Sequence, residues 1–302
     1  MLSDLQQEIL TLKRETDAAI VAHSYQAPEI LEIADVTGDS FALSVAATKL
    51  SQPTVVMCGV GFMADTVKIL SPEKKVVLAS PDATCPMAEQ ISPERVLAYR
   101  KEHPDHAVVA YVNTTTELKA VADVGVTSSS ALEIVKKLPQ KDILFIPDQN
   151  LGGYVKKMLP EKNIILWDGM CPVHGKITEE ECLKAIQAHP EAKVLMHPEL
   201  PAEVLRHADV IGSTAAIIQY ALEHDEPCII GTEKSICDYL SIKRPEMNYY
   251  LLTKNLMCPD MRITTLLDVK KALTGAGGRV IELEEELRLK AKHAIDEMIR
   301  LG

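Results

Sequence analysis

The sequence is poor in aromatic residues, with 4% in all, one tryptophan and three phenylalanines. Since 47% of it is apolar, the core has to be aliphatic. It lacks any Lys/Arg-rich run and carries a formal charge of −11, which argues against a nucleic-acid surface. No stretch reaches the roughly 18 uninterrupted apolar residues of a membrane span. The opening MLSDLQQEIL has no charged segment followed by an apolar one, so no signal peptide is expected. Seven cysteines are an odd number and too sparse for a secreted disulfide scaffold, and a cytoplasmic setting is expected. The tight C-x-x-C run of ferredoxins is also missing.

What the chain does have is a repeat. Three Cys-Pro dipeptides, Cys85-Pro86, Cys171-Pro172 and Cys258-Pro259, are separated by 171 − 85 = 86 and 258 − 171 = 87 residues. Each follows an apolar run: KKVVLAS, KNIILWD and NYYLLTKNL. Shifts of 88 and then 86 also bring Ala34-Asp35-Val36 onto Ala122-Asp123-Val124 and Ala208-Asp209-Val210. The same shifts align His23 with Tyr111 and His197, Tyr25 with Asn113 and Glu199, and Ser40 with Ser128 and Thr214. Self-similarity at one period marks a repeat architecture. The expected organisation is a first α/β repeat with its N-terminal helix over 1–103, a second over 104–190, a third over 191–279, and a C-terminal helix over 280–302.

Within each repeat, short continuous apolar strands alternate with amphipathic helices, the pattern of a parallel sheet covered on both faces. A first helix is expected over residues 3 to about 15 with Ser3 as N-cap. A linker helix should open at Ser92-Pro93, and another at the capping box Thr178-Glu179-Glu180-Glu181. In the second repeat a helix is expected over GGYVKKML. Ligands in such sheets bind beyond the carboxyl ends of strands. His23 and Tyr25, Tyr111 and Asn113, and His197 and Glu199 all fall at such ends. Ser40, Ser128 and Thr214 are each expected to start a helix, where a hydroxyl and unpaired N–H groups suit an anion. Taken singly, each is also an ordinary N-cap. Three copies about a pseudo-threefold axis would aim these groups at one cavity.

Cys58, Cys182, Cys228 and Cys237 have no repeat partner and are expected to be small buried hydrophobes. Cys228 and Cys237 could pair, but a cytoplasmic setting works against a bridge. The Cys-Pro trio is different, because nothing structural demands thiols at three equivalent loops. Zinc in structural sites prefers four protein ligands. A [4Fe–4S] cube normally takes four cysteines, so three would leave one iron open. An open iron acts as a Lewis acid and suits dehydration. Glu199 places a carboxylate at a strand end, and Tyr25 is the candidate acid/base.

Ten segments together resemble the quinolinate synthase family: AHSYQ (22–26), GDS (38–40), GFMADTVKIL (61–70), ATCPMAE (83–89), YVNTTTELKA (111–120), TSSSA (127–131), WDGMCPVH (167–174), HPE (197–199), ADVIGST (208–214) and NLMCPDM (255–261). The resemblance spans nearly the whole chain. It implies three α/β/α domains around one [4Fe–4S] cluster held by Cys85, Cys171 and Cys258. It implies a transferase-type condensation of iminoaspartate with dihydroxyacetone phosphate to quinolinate, phosphate and water, in NAD biosynthesis. Carried over by position, His23, Ser40, Tyr111, Asn113, Ser128, His197, Glu199 and Thr214 bind substrate, and Tyr25 and Glu199 move protons. An upstream aspartate-oxidising enzyme is the implied supplier of iminoaspartate. Ser24 stands where the family often has a second aromatic, and the extra C-terminal C-x-x-C of long-form members is absent. Two other readings remain: a different [4Fe–4S] hydro-lyase of the aconitase type, or a metal-storage or redox-sensing module without turnover.

Overall fold

The computed structural model describes residues 2–302. The chain divides into two compact units: residues up to Cys85 with Cys258–Lys292, and Pro86–Met257 with His293–Gly302.

The first unit opens with α1 (Asp4–Glu15). Ser3 and Gln6 close a capping box there, with each side chain reaching the other's backbone. β1 (Ala18–His23), α2 (Pro28–Leu31), β2 (Val36–Gly38), α3 (Ser40–Thr48), β3 (Thr54–Cys58), α4 (Gly61–Leu70) and β4 (Lys75–Leu78) follow. β1 is buried at every position, as a strand covered on both faces must be. Its core joins Ile9 of α1 to Ile20, Val56 and Val77 of the sheet and to Val269 and Leu273.

In the second unit, α5 (Pro93–Glu102), β5 (Ala107–Tyr111), α6 (Thr116–Lys119), β6 (Val124–Val126), α7 (Ala131–Lys137), β7 (Asp142–Ile146), α8 (Gln149–Met158) and β8 (Asn163–Leu166) repeat the cycle. So do α9 (Glu179–Ala188), β9 (Lys193–Met196), α10 (Ala202–Leu205), β10 (Val210–Ile211), α11 (Thr214–Glu223), β11 (Cys228–Gly231), α12 (Ser235–Lys243) and β12 (Tyr249–Leu251). After Cys258 come α13 (Pro259–Arg262), α14 (Leu266–Thr274), β13 (Arg279–Val280) and α15 (Glu285–Leu301).

Four strands of each sheet share one order, β2-β1-β3-β4, β6-β5-β7-β8 and β10-β9-β11-β12, and pair in parallel. The Ala-Asp-Val triplet has one structural role in each. Asp35, Asp123 and Asp209 accept the N–H of Ile20, Val108 and Val194 at 2.8, 2.7 and 2.9 Å. Each aspartate's own N–H donates back to the same residue's carbonyl, at 2.8, 2.9 and 2.9 Å. The aspartate thus closes the crossover from the first strand to the second in every repeat.

Four expectations are corrected. The C-terminal helix does not run from 280. Gly278, at φ +79°, turns the chain so that β13 pairs antiparallel with β4, and the helix starts at Glu285. A Cβ at Gly278 would sit 2.7 Å from Val77 Cγ1, so only glycine fits. The helix expected over GGYVKKML begins earlier, at Gln149, because Asp148 caps it. Its Gly152 is interior, pressed so closely on Phe145 and Leu166 that a Cβ would lie 2.7–2.8 Å from them. Ser128 does not start a helix: it lies in the turn before α7, which begins at Ala131. Ser40 and Thr214 are first helical residues but not caps, since Asp39 accepts from Ala42 N–H and Ser213 from Ala216 N–H. Among the described residues, no helix is long and apolar enough to cross a membrane.

Candidate active site and cysteine ligands

The second unit gathers polar side chains from the carboxyl ends of five parallel strands, where such folds bind ligands. Tyr111 ends β5, Asp148 follows β7, Cys171 and His174 follow β8, Glu199 follows β9 and Thr232 follows β11. His174 is the hub. Its Nδ1 lies 3.0 Å from Glu199 Oε2 and 3.4 Å from Cys171 Sγ, and its Nε2 lies 3.1 Å from Thr232 Oγ1. The Tyr111 hydroxyl adds a hydrogen bond to the Glu199 carboxylate. The His197 ring lies 5.3 Å from that of His174.

All of these groups except Cys171 are buried, so their charge states depend on one another. Burial works against an ionised Glu199, but His197, His174 and the Tyr111 hydroxyl outweigh it and hold the carboxyl below its ordinary range. Asp148 moves the opposite way, pushed up to about 7 by burial and by the charge on Glu199. Burial also lowers His197 to about 4, with Glu199 opposing, so its imidazole is neutral near pH 7.

In the first unit, His23 ends β1, and its Nδ1 accepts the Tyr25 N–H at 3.1 Å. Burial lowers His23 to about 3. Tyr25 is half-buried, its ring edge-on to His23 with centroids 4.5 Å apart. Ser40 is half-buried at the start of α3. Cys85 and Cys258 belong to this unit, where the Thr84 hydroxyl donates to Asp260 at 3.1 Å and joins the residues beside the two cysteines.

The structure therefore joins Tyr111 to Glu199, two of the sequence-derived candidates, and brings His197 near through His174. Asn113 is half-buried after β5, Ser128 half-buried before α7, and Thr214 buried at the start of α11. His174, Asp148 and Thr232 were not anticipated. His174 lies inside the motif WDGMCPVH, three residues past its cysteine, and that spacing was the available signal. Asp148 and Thr232 carried none.

The cysteines fall into two kinds. Cys58, Cys182, Cys228 and Cys237 are buried, while Cys85, Cys171 and Cys258 are half-buried. Burial pushes the Cys58 thiol up to about 12 and those of Cys182, Cys228 and Cys237 to about 11. Such thiols stay protonated and make poor ligands. Cys228 and Cys237 do not bridge, since their thiols donate to the Glu226 and Tyr249 carbonyls, both at 3.3 Å. The ligand atoms of Cys171, His174 and Glu199 lie within 4.8 Å of one another, a set that could hold a metal ion. Three half-buried cysteines, each followed by proline, offer thiols of the kind that ligate iron–sulfur clusters.

A parallel α/β chain with buried carboxyl and imidazole groups gathered at its strand ends has the arrangement of an enzyme active site. A family model described as Quinolinate synthetase A protein matches residues 7–300. The quinolinate synthase of Clostridium kluyveri is 44% identical over 298 residues, 98% of each chain. That of Caldicellulosiruptor bescii is 45% identical over 299 residues, 99% of this chain and 98% of that one. That of Thermodesulfovibrio yellowstonii is 42% identical over 302 residues, 100% and 99%. The chain belongs to the quinolinate synthetase A family.

Proposed function

We propose that the chain makes quinolinate for NAD biosynthesis, by condensing iminoaspartate with dihydroxyacetone phosphate and releasing phosphate and water. The names of its relatives support the product. The observation that carries the mechanism is the Tyr111–Glu199–His174–Cys171 chain of contacts, which puts an ionised carboxylate beside a cysteine of the repeated set. Cys85, Cys171 and Cys258 would hold a [4Fe–4S] cluster with one open iron, and when bound it supplies a Lewis acid for loss of water.

The remaining roles belong to side chains. Ionised Glu199 accepts a proton from substrate, with His174 and Tyr111 holding its oxygens in place. His23 and His197 both accept a backbone N–H at Nδ1, which leaves the proton on Nε2 to donate to a substrate oxygen. Tyr25 is the proposed second proton-transfer group. Ser40, Asn113, Ser128 and Thr214 contribute polar contacts to the two substrates, Ser40 and Thr214 from the first turn of a helix. We also propose three homologous repeats over 1–103, 104–190 and 191–279 in pseudo-threefold arrangement about the cluster, followed by 280–302. The shared strand order and the shared aspartate bond support that reading. An aspartate-oxidising enzyme in the same cytoplasm is the proposed source of iminoaspartate.

The test is anaerobic reconstitution with iron and sulfide, followed by supply of dihydroxyacetone phosphate and freshly generated iminoaspartate. Quinolinate should appear together with phosphate. Bound iron without quinolinate would overturn the reaction and leave a hydro-lyase or a storage role. Absence of bound iron would overturn the cluster.

A further inference from the structure

The first turn of α8 reaches out of its own helix at three successive residues. Asp148 is fully buried. Its Oδ1 accepts the Leu151 N–H at 2.7 Å, the ordinary bond of an N-cap. Its Oδ2 accepts the Cys171 N–H at 2.8 Å. The Gln149 N–H donates to the Gly169 carbonyl at 2.7 Å. Asn150 Nδ2 donates to the Glu199 carbonyl at 3.0 Å. One helical turn thus grips the Cys171 loop at two points and the Glu199 turn at a third.

Capping alone does not explain Asp148. Serine, threonine and asparagine cap as well and place no ionisable group in the interior, where an uncompensated charge is costly. Among the common caps only aspartate offers two carboxylate oxygens, so it alone can cap α8 and hold Cys171 together. The loop also lies hard against the chain entering this turn: a Cβ on Gly169 would come within 2.5 Å of the Pro147 carbonyl.

We propose that Asp148 and Asn150 are positioning residues, which hold the backbone of Cys171 and of Glu199 at a set separation before substrate arrives. The assignment rests on Cys171 being a cluster ligand. Groups that orient a metal ligand typically change metal affinity by about 10–100-fold when removed.

The experiment uses the full chain, reconstituted anaerobically, and follows iron release to a ferrous chelator, the electron paramagnetic resonance spectrum of the reduced protein, and turnover. Asp148→Asn keeps the shape with one acceptor, and Asp148→Ser keeps the cap but cannot reach Cys171. Both should load iron, release it about 10–100-fold faster and show an altered spectrum. Ser3→Ala, which removes the cap of α1, is the control for lost stability alone. Asn150→Ala leaves both Asp148 bonds in place, so iron release should stay at the wild-type rate while turnover falls at least about tenfold. Asp148 variants that release iron no faster than Ser3→Ala would overturn the Cys171 arm. Asn150→Ala with turnover within about twofold of wild type would overturn the Glu199 arm. Wild-type protein that takes up no iron would defeat the cluster reading itself, and the Cys171 assignment with it.

Discussion

The ends of β1 and β9 begin with the same local bond and finish with different chemistry. At each, a buried histidine accepts at Nδ1 the N–H two residues on, Tyr25 to His23 at 3.1 Å and Glu199 to His197 at 3.4 Å. Burial leaves both imidazoles neutral near pH 7. Beyond that bond the two ends diverge. Tyr25 meets the His23 ring edge-on, whereas Glu199 is joined to His174 and Tyr111, which come from other strand ends. The repeat carries the backbone geometry from one copy to the next. What the residue two positions on can do depends on which other strand ends reach it.

The largest effect should separate the repeated cysteines from the others. Cys171→Ser should lose bound iron and all turnover, while Cys182→Ser keeps both. Iron per chain after reconstitution decides it, and an unchanged value in Cys171→Ser would remove that loop from the cluster.

Next come the two strand ends themselves. Glu199→Gln keeps the shape and the Tyr111 contact but no longer accepts a proton. Tyr25→Phe removes one oxygen and keeps the ring. Each should lower quinolinate formation by about 10²–10⁴-fold with iron content intact. If only one falls, the comparison is sharpened to a single proton-transfer end; if neither does, both residues are structural.

A smaller effect follows from the neutral histidine of β1. His23 titrates near 3 when folded, against an unfolded value of 6.5. Between these values the unfolded chain binds the extra proton, so stability is full above pH 6.5 and declines as pH falls toward 3. His23→Gln removes this contribution. Between pH 6.5 and about pH 5, wild type should lose about 1.5 kcal/mol more than the variant in urea unfolding. Equal losses would show that burial does not keep His23 neutral.

The smallest effect concerns what the repeats share. Asp35→Asn, Asp123→Asn and Asp209→Asn each replace a carboxylate that accepts a strand N–H. Each should cost about 1 kcal/mol, by similar amounts, in thermal unfolding. A large spread among the three would mean that the shared bond does unequal work in the three sheets.

Much of this molecule was legible in its sequence. The period near 86 residues, the apolar strands and the Ala-Asp-Val triplets are regular along the chain, and regular features follow from strand and helix geometry. The family resemblance was legible for the same reason, because its motifs are contiguous. Errors arose where a local signal had a tertiary competitor. Gly152 and Gly153 suggested that α8 began there, but Asp148 starts it earlier and Gly152 is interior because Phe145 and Leu166 leave no room for a Cβ. The last helix is expected from Val280, but pairing with β4 draws Arg279 and Val280 into a strand.

By itself the sequence determined that the chain is α/β, with a period near 86 residues that recurs in three Cys-Pro dipeptides. Only the tertiary structure decided that His174 joins Glu199, Cys171 and Thr232, and that Asp148 and Asn150 hold two of these from one helical turn. The physical reason is reach. A hydrogen bond acts over about 3 Å and is blind to separation along the chain, so contacts between residues 23 to 58 positions apart leave no periodic trace. They exist because parallel strands bring the loops at their carboxyl ends together.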